Sequence, residues 1–207
     1  MFLPFPAPAP LGPDALPAVL RTLPAVHELR TPMGMAAPTG FAGLILGALA
    51  GAAPVLWASA RPFWYAPGLA WALAEAGLDP ARCVFAQARD DAECLATLET
   101  ALRGGMAGVA ECRSLSRLGA RRLALAAKRG GNVGLVLRSA PARTAEDSTA
   151  FATRWLVSPA PGTPEILRLR AELLYAKGAQ PGVFMCELKV RENGTAPPAV
   201  APIRRTG

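Results

Sequence analysis

Two glycines, Gly34 and Gly40, stand between a short strand-like segment and a run of helix-forming residues. A phosphate-binding loop has this placement: backbone N–H groups cradle phosphate, a lysine neutralises it and an adjacent hydroxyl holds magnesium. The pattern G-x-x-x-x-G-K-[ST] sets its glycines five apart, whereas Gly34 and Gly40 are six apart. The residues after Gly40 are Phe41 and Ala42, and no cation occurs between Arg30 and Arg61. Without a charge partner or a metal ligand, ordinary ATP hydrolysis is not expected of this loop. The N-terminus of the following helix retains only a weak attraction for anions.

Other chemistry-bearing residues are scattered. Glu111 follows an apolar stretch, where a parallel-sheet ATPase places its metal-holding carboxylate; alone, it reads better as a strand-end acid paired with an arginine. His27 is the single histidine and has no Ser or Cys close by in sequence, so it reads as a packed or surface residue and not as part of a triad. Cys83, Cys94, Cys112 and Cys186 lack C-x-x-C spacing and do not predict a zinc site. Asn193-Gly194-Thr195 has the form of a glycosylation sequon, which has no use in a cytosolic chain.

The strongest pattern is basic. Between Cys112 and Ala145 there are eight Lys/Arg and no acid. At about 100° per residue on a helix, Arg113, Arg117, Arg121 and Lys128 fall in one sector. Leu115, Leu118, Leu125 and Ala126 fall on the other, apolar side. Arg122 and Arg129 lie nearer that side, where they would snorkel or pair with Glu111. The cationic sector suits nucleic-acid phosphates, an acidic protein face, or solvent alone. No aromatic residue interleaves it, which disfavours single-stranded DNA.

The elements that must position these groups alternate. Strands are expected over His27 to Arg30, Val55 to Ser59, Arg82 to Gln87, Met106 to Ala110 and Val133 to Leu137. Helices are expected over Gly40 to Leu49 with Thr39 as N-cap, Gly68 to Gly77 with Pro67 at its start, from the Asp90 to Glu93 capping box to Gly104-Gly105, and Ser114 to Arg129. This alternation predicts βαβ units and a mainly parallel sheet. Beyond about residue 150 it gives way to a strand over Thr153 to Val157 and a hairpin of Leu167 to Tyr175 with Val183 to Arg191. Ile166 to Lys177 also scores as helix.

Apolar residues make up 52% of the 207, enough for a substantial core. Residues 1–111 carry six Arg and nine acids, whereas residues 112–207 carry sixteen basic groups and six acids. That asymmetry points to an acidic partner for the second half. Residues 31–60 hold no charge, and Phe41 to Trp57 approaches the ~20 residues of a membrane span. Gly43, Gly47, Gly51 and Pro54 interrupt it, so a buried helix and strand are predicted instead, with no membrane association. No secretion leader is visible at the N-terminus, and the four thiols are expected to be reduced in a cytoplasmic protein.

The order of several segments resembles the ImuA family, a relative of RecA associated with bacterial damage-induced mutagenesis. The resemblance is carried by His27-Glu28, Pro38-Thr39-Gly40-Phe41-Ala42, Val55-Leu56-Trp57, Tyr65-Ala66-Pro67-Gly68-Leu69 and Gly77-Leu78-Asp79-Pro80. It continues through Leu98 to Arg103, Ser116-Arg117-Leu118, Arg121 to Ala127 and Ala152-Thr153-Arg154-Trp155. It implies a RecA-like α/β core and an accessory, non-enzymatic role in SOS-induced translesion synthesis. The implied partners are an ImuB-like, Y-family-related protein, a DnaE-type error-prone polymerase and RecA. RecA proteins carry an acid after the strand that follows the loop helix; Leu56 to Ala60 has none, so no ATP-site role carries over.

The expected organisation is a Pro-rich arm over 1–25, a RecA-like α/β domain without a functional phosphate loop over 26–192, and a flexible basic tail over 193–207. The C-terminal part of the domain is an antiparallel hairpin. No catalytic, cofactor or metal residue is assigned. Arg113, Arg117, Arg121 and Lys128 are the candidate partner or DNA contacts. The competing functions are a SulA-like inhibitor of cell division and a degenerate RecA-like ATPase that binds nucleotide or DNA.

Overall fold

The computed structural model describes residues 10–11, 20, 24–61, 73–74, 77–141, 150–163, 166–177 and 182–189. The strands are β1 (Pro10–Leu11), β2 (Ala25–Thr31), β3 (Val55–Ser59), β4 (Cys83–Gln87), β5 (Ala107–Glu111), β6 (Val133–Ser139), β7 (Thr153–Thr163), β8 (Ile166–Ala176) and β9 (Gly182–Lys189). They form one mixed sheet of order β1-β9-β8-β7-β2-β6-β5-β3-β4. Strands β7, β2, β6, β5, β3 and β4 run parallel, and β8 and β9 add an antiparallel hairpin. This is the mixed α/β sheet with a C-terminal hairpin that the alternation predicts.

Helix α1 (Thr39–Leu49) covers one face of the sheet. Helices α2 (Asp91–Arg103) and α3 (Arg117–Gly130) cover the other. On the α1 face, Phe41, Leu44 and Ile45 meet Leu29, Trp57, Leu135 and Trp155. Phe41 and Phe184 flank the Trp155 ring at centroid distances of 5.8 and 5.5 Å. On the α2/α3 face, Leu98, Leu102 and Leu123 meet Val26, Leu56 and Val136. Each strand of a two-sided sheet must be apolar on both faces, which explains the continuous apolar runs.

The boundaries differ from expectation where a cap or a neighbour decides. Thr39 is not the N-cap: Pro38 takes that position, and the Thr39 hydroxyl turns back to the carbonyl of Ala37. Helix α3 begins at Arg117, not Ser114, because the Ser116 side chain accepts from the N–H of Gly119 and caps it. It ends at Gly130 and is capped by Gly131, whose φ of 73° is the left-handed conformation that favours glycine. Gly130 is needed for another reason. A Cβ there would lie 1.7 Å from the carbonyl oxygen of Leu102, so the ends of α2 and α3 meet backbone to backbone.

Ile166 to Ala176 is a strand. Its residues score well as helix, but β7 and β9 pair with it on both sides, and Leu169, Ala171 and Leu173 alternate into the core. Strand β7 runs past Val157 to Thr163 and includes Pro159 and Pro161. Its pairing with β2 stops at Leu156, so beyond that point one side of β7 needs no N–H donor, as proline requires.

Pro10 and Leu11 of the N-terminal segment pair parallel to Met185 and Cys186, and Leu20 is fully buried. Most of 1–25, most of the expected helix over Gly68 to Gly77, and all of 193–207 lie outside the described residues. Within the described residues no helix is long and apolar enough to cross a membrane. Helix α1 has eleven residues, about 16 Å, against a hydrocarbon core of about 30 Å.

Candidate functional site

The loop between β2 and α1 occupies the place of a phosphate loop. Met33 and Gly34 form an exposed turn closed by the Met35 N–H on the carbonyl of Pro32, at 3.1 Å. Phe41 and Ala42 stand where Lys and Ser/Thr would, and both are fully buried under Trp155 and the sheet. The lysine is therefore displaced by a core residue, not merely missing.

The middle and C-terminal part of β2, the C-terminal end of β6 and the start of β7 carry polar groups that sequence reading did not assign. Glu28 lies buried among three arginines. Arg30 Nε and Arg138 Nη1 donate to its Oε1 at 2.9 and 3.0 Å, and Arg154 Nε donates to Oε2 at 2.7 Å. Arg30 Nη1 also donates to the carbonyl of Pro141, and Arg138 Nη2 to that of Arg113. Burial pushes the Glu28 carboxyl up, but the hydrogen bonds and charges of Arg30 and Arg154 outweigh it and hold the group below its usual range. The cluster ties three strands together. A charge at alternate positions of apolar strands was its only sequence signal.

His27, on the opposite face of β2, is fully buried. Its Nδ1 lies 2.7 Å from Thr153 Oγ1, which also accepts from Trp155 Nε1 at 2.7 Å. His27 Nε2 has no partner among the described residues. Burial lowers its pKa to about 4, so the ring is neutral and packed.

Glu111 ends β5. Its Oε1 meets Arg61 at 3.1 Å and its Oε2 accepts from Ser59 Oγ at 3.2 Å. Its partner is thus Arg61, not Arg122 or Arg129. Arg122 instead joins Arg103 on Glu99 and bridges α3 to α2. Beside Glu111 a pocket of about 30 Å³, lined in part by Arg61, Asp91 and Arg113, has room for a water or two. Among the described residues no group of three or more His, Cys, Asp and Glu could hold a metal ion. All four cysteines are free. Burial raises every thiol, to about 11 at Cys83 and about 12 at Cys94 and Cys186, and higher still at Cys112, which makes them poor nucleophiles.

The four predicted contact residues separate. Arg113 precedes α3; its N–H donates to Asp91 and its carbonyl receives Arg138. Arg117, Arg121 and Lys128 are exposed along one side of α3. The buried side consists of Ala120, Leu123, Ala126 and Ala127. Leu118 and Leu125, expected on the apolar side of the helix, are each 67% exposed. Small residues at three- and four-residue spacing let α3 lie close on α2 and the sheet, and this turns the two leucines outward. Beside Leu125 runs a groove of about 380 Å³ between α3 and the starts of β2 and β7, with Lys128 and Lys177 among its lining. Sequence reading missed both Lys177 and the groove.

No protein-family model matches the chain. Protein ImuA of Caulobacter vibrioides, in strains NA1000 / CB15N and ATCC 19089 / CIP 103742 / CB 15, is 34% identical over 160 residues, 69% of this chain. The chain spans 63% of the length of these curated relatives. A crystal structure of SulA from Pseudomonas aeruginosa is 27% identical and covers 59% of this chain and 100% of its own, with a TM-score of 0.41, a likeness too distant to bear on fold or activity. On the extent and identity of the match, the chain is a homologue of Protein ImuA over those 160 residues.

Proposed function

We infer that this chain is a cytoplasmic, non-catalytic accessory protein of SOS-induced translesion synthesis. In this reading it bridges an error-prone polymerase assembly to RecA or to damaged DNA. Its partners are an ImuB-like protein, a DnaE-type polymerase and RecA, and residues 26–192 form a RecA-like domain between an arm and a basic tail. The observation that carries the reading is the match to Protein ImuA together with the filled phosphate-loop position. Phe41 and Ala42 are fully buried where a lysine and a metal-holding hydroxyl would stand. A loop without cation or metal ligand supports binding over turnover. The exposed cations of α3, Arg117, Arg121 and Lys128, are the proposed contact face, with Arg113 beside them.

A pull-down with purified polymerase, ImuB-like protein and RecA tests it. Capture of at least one component is expected, and failure to bind any of them sinks the reading. Nucleotide titration is expected to show no saturable binding. A saturable nucleotide signal would return the chain to the degenerate ATPases. If Arg117→Glu with Arg121→Glu leaves every interaction unchanged, the basic helix has no part in it.

A further inference from the structure

The groove beside α3 lies at the opposite end of β2 from the glycine loop. Ala25 and Val26 start that strand, Ala124 and Leu125 form the helix wall, and Lys128 and Lys177 complete the lining from α3 and from just after β8. At about 380 Å³ it falls at the small end of ligand-pocket volumes, and its lining leucine is two-thirds exposed. An open trough of this size suits a few side chains of a segment lying across it better than an enclosed small molecule.

Its chemistry selects among occupants. Seven of the nine lining residues are apolar, none is aromatic, none is acidic, and the two that remain are lysines. Arg121, one turn before Leu125 on the same side of α3, extends the cationic rim. Among the described residues, Arg121, Lys128 and Lys177 have no acidic partner. A nucleic acid would match the cations but would leave the aliphatic floor unused, since single strands are held by base stacking on aromatic rings. The chain's own tail over 193–207 carries Arg204 and Arg205 and no acid, so it has the wrong sign.

We propose that this groove docks an acidic segment of a partner protein, with aliphatic or aromatic side chains anchored against Ala25, Val26 and Leu125 and carboxylates on Arg121, Lys128 and Lys177. Burial of the apolar anchor supplies most of the affinity, and the flanking charges supply orientation and speed of association. This rests on the accessory reading above and names the chemistry that its partner must present.

The test uses the full chain and a fluorescein-labelled peptide of about a dozen residues with Leu-Phe between runs of Asp and Glu, read by anisotropy. Saturable binding is expected, weakened about tenfold or more by Leu125→Glu and by Lys128→Glu. Replacing Leu-Phe by Ala-Ala, or the acids by Lys, is expected to abolish it. Leu125→Gln serves as a second, neutral variant, and circular dichroism confirms that each variant is folded. The proposal is overturned if the peptide does not bind, if the Leu125 variants bind it as tightly as the parent, or if oligothymidylate displaces it with equal dependence on Leu125. In the pull-down, capture of a partner by the Leu125→Glu, Lys128→Glu chain would end the groove proposal and leave the accessory function standing. Peptide binding without capture of any component by the parent chain would do the reverse.

Discussion

The two ends of β2 treat charge in opposite ways. From its middle to its carboxyl end Glu28, Arg30, Arg138 and Arg154 are buried and spent on one another and on backbone carbonyls. At its amino end Lys128, Lys177 and Arg121 face outward around an apolar trough, with no acid among the described residues to meet them. Open α/β sheets hold their ligands at the carboxyl ends of the strands. Here that end is filled by structure, and the unsatisfied chemistry lies at the other. Cations at one end secure strands, whereas those at the other are available to a partner.

The sharpest way to break this contrast is to restore a lysine to the loop. Phe41→Lys would remove a ring packed on Trp155 and bury an ammonium in its place. We expect a loss of about 4 kcal/mol or more in urea denaturation, with no gain of nucleotide affinity. A stable variant that binds ATP would show that the loop end is a site after all. Next, Glu28→Ala strips the carboxylate from three arginines and should cost about 3–5 kcal/mol by the same measurement. A cost below about 1 kcal/mol, as for an exposed pair, would mean that the cluster is not structural.

Acid tests the same end. The unfolded chain protonates His27 near pH 6.5, but the folded chain does so only near pH 4. Between those values the unfolded state holds more protons, so stability falls as pH drops, by about 3 kcal/mol from this group. Glu28, whose pKa is also lowered on folding, adds to the loss in the same direction. Stability curves for the parent and His27→Gln should differ in slope over that interval, and parallel curves would place the histidine in water. The smallest expected effect is at the groove. Lys128→Glu should change stability by less than about 0.5 kcal/mol while weakening partner binding. A large stability loss there would mean that this cation, too, is spent on the fold.

Much of the architecture is local and could be read along the chain. The strand over Val55 to Ser59, the glycine stop after α3 and the capping aspartate of α2 follow from apolar runs, chain conformation and a carboxylate three residues from the N–H that donates to it. The lack of a phosphate-loop lysine and hydroxyl was equally legible, because that motif needs specific residues at specific places. The groove and the arginine cluster were not. Lys177 and Lys128 come together only because β8 returns beside the start of β7, and Arg138 and Arg154 reach Glu28 only through strand order. Leu118 and Leu125 looked buried because leucine usually is, but the alanines beside them fit the narrow space against α2.

The sequence by itself determined the alternating α/β pattern, the absence of the phosphate-loop lysine and hydroxyl after Gly40 and the basic second half, since each rests on residue type and short spacing. The tertiary structure alone decided that Ile166 to Ala176 is a strand, which arginines are consumed in the interior, and which leucines and lysines remain for a partner. Those outcomes depend on burial, and burial is set by neighbours that arrive from far along the chain.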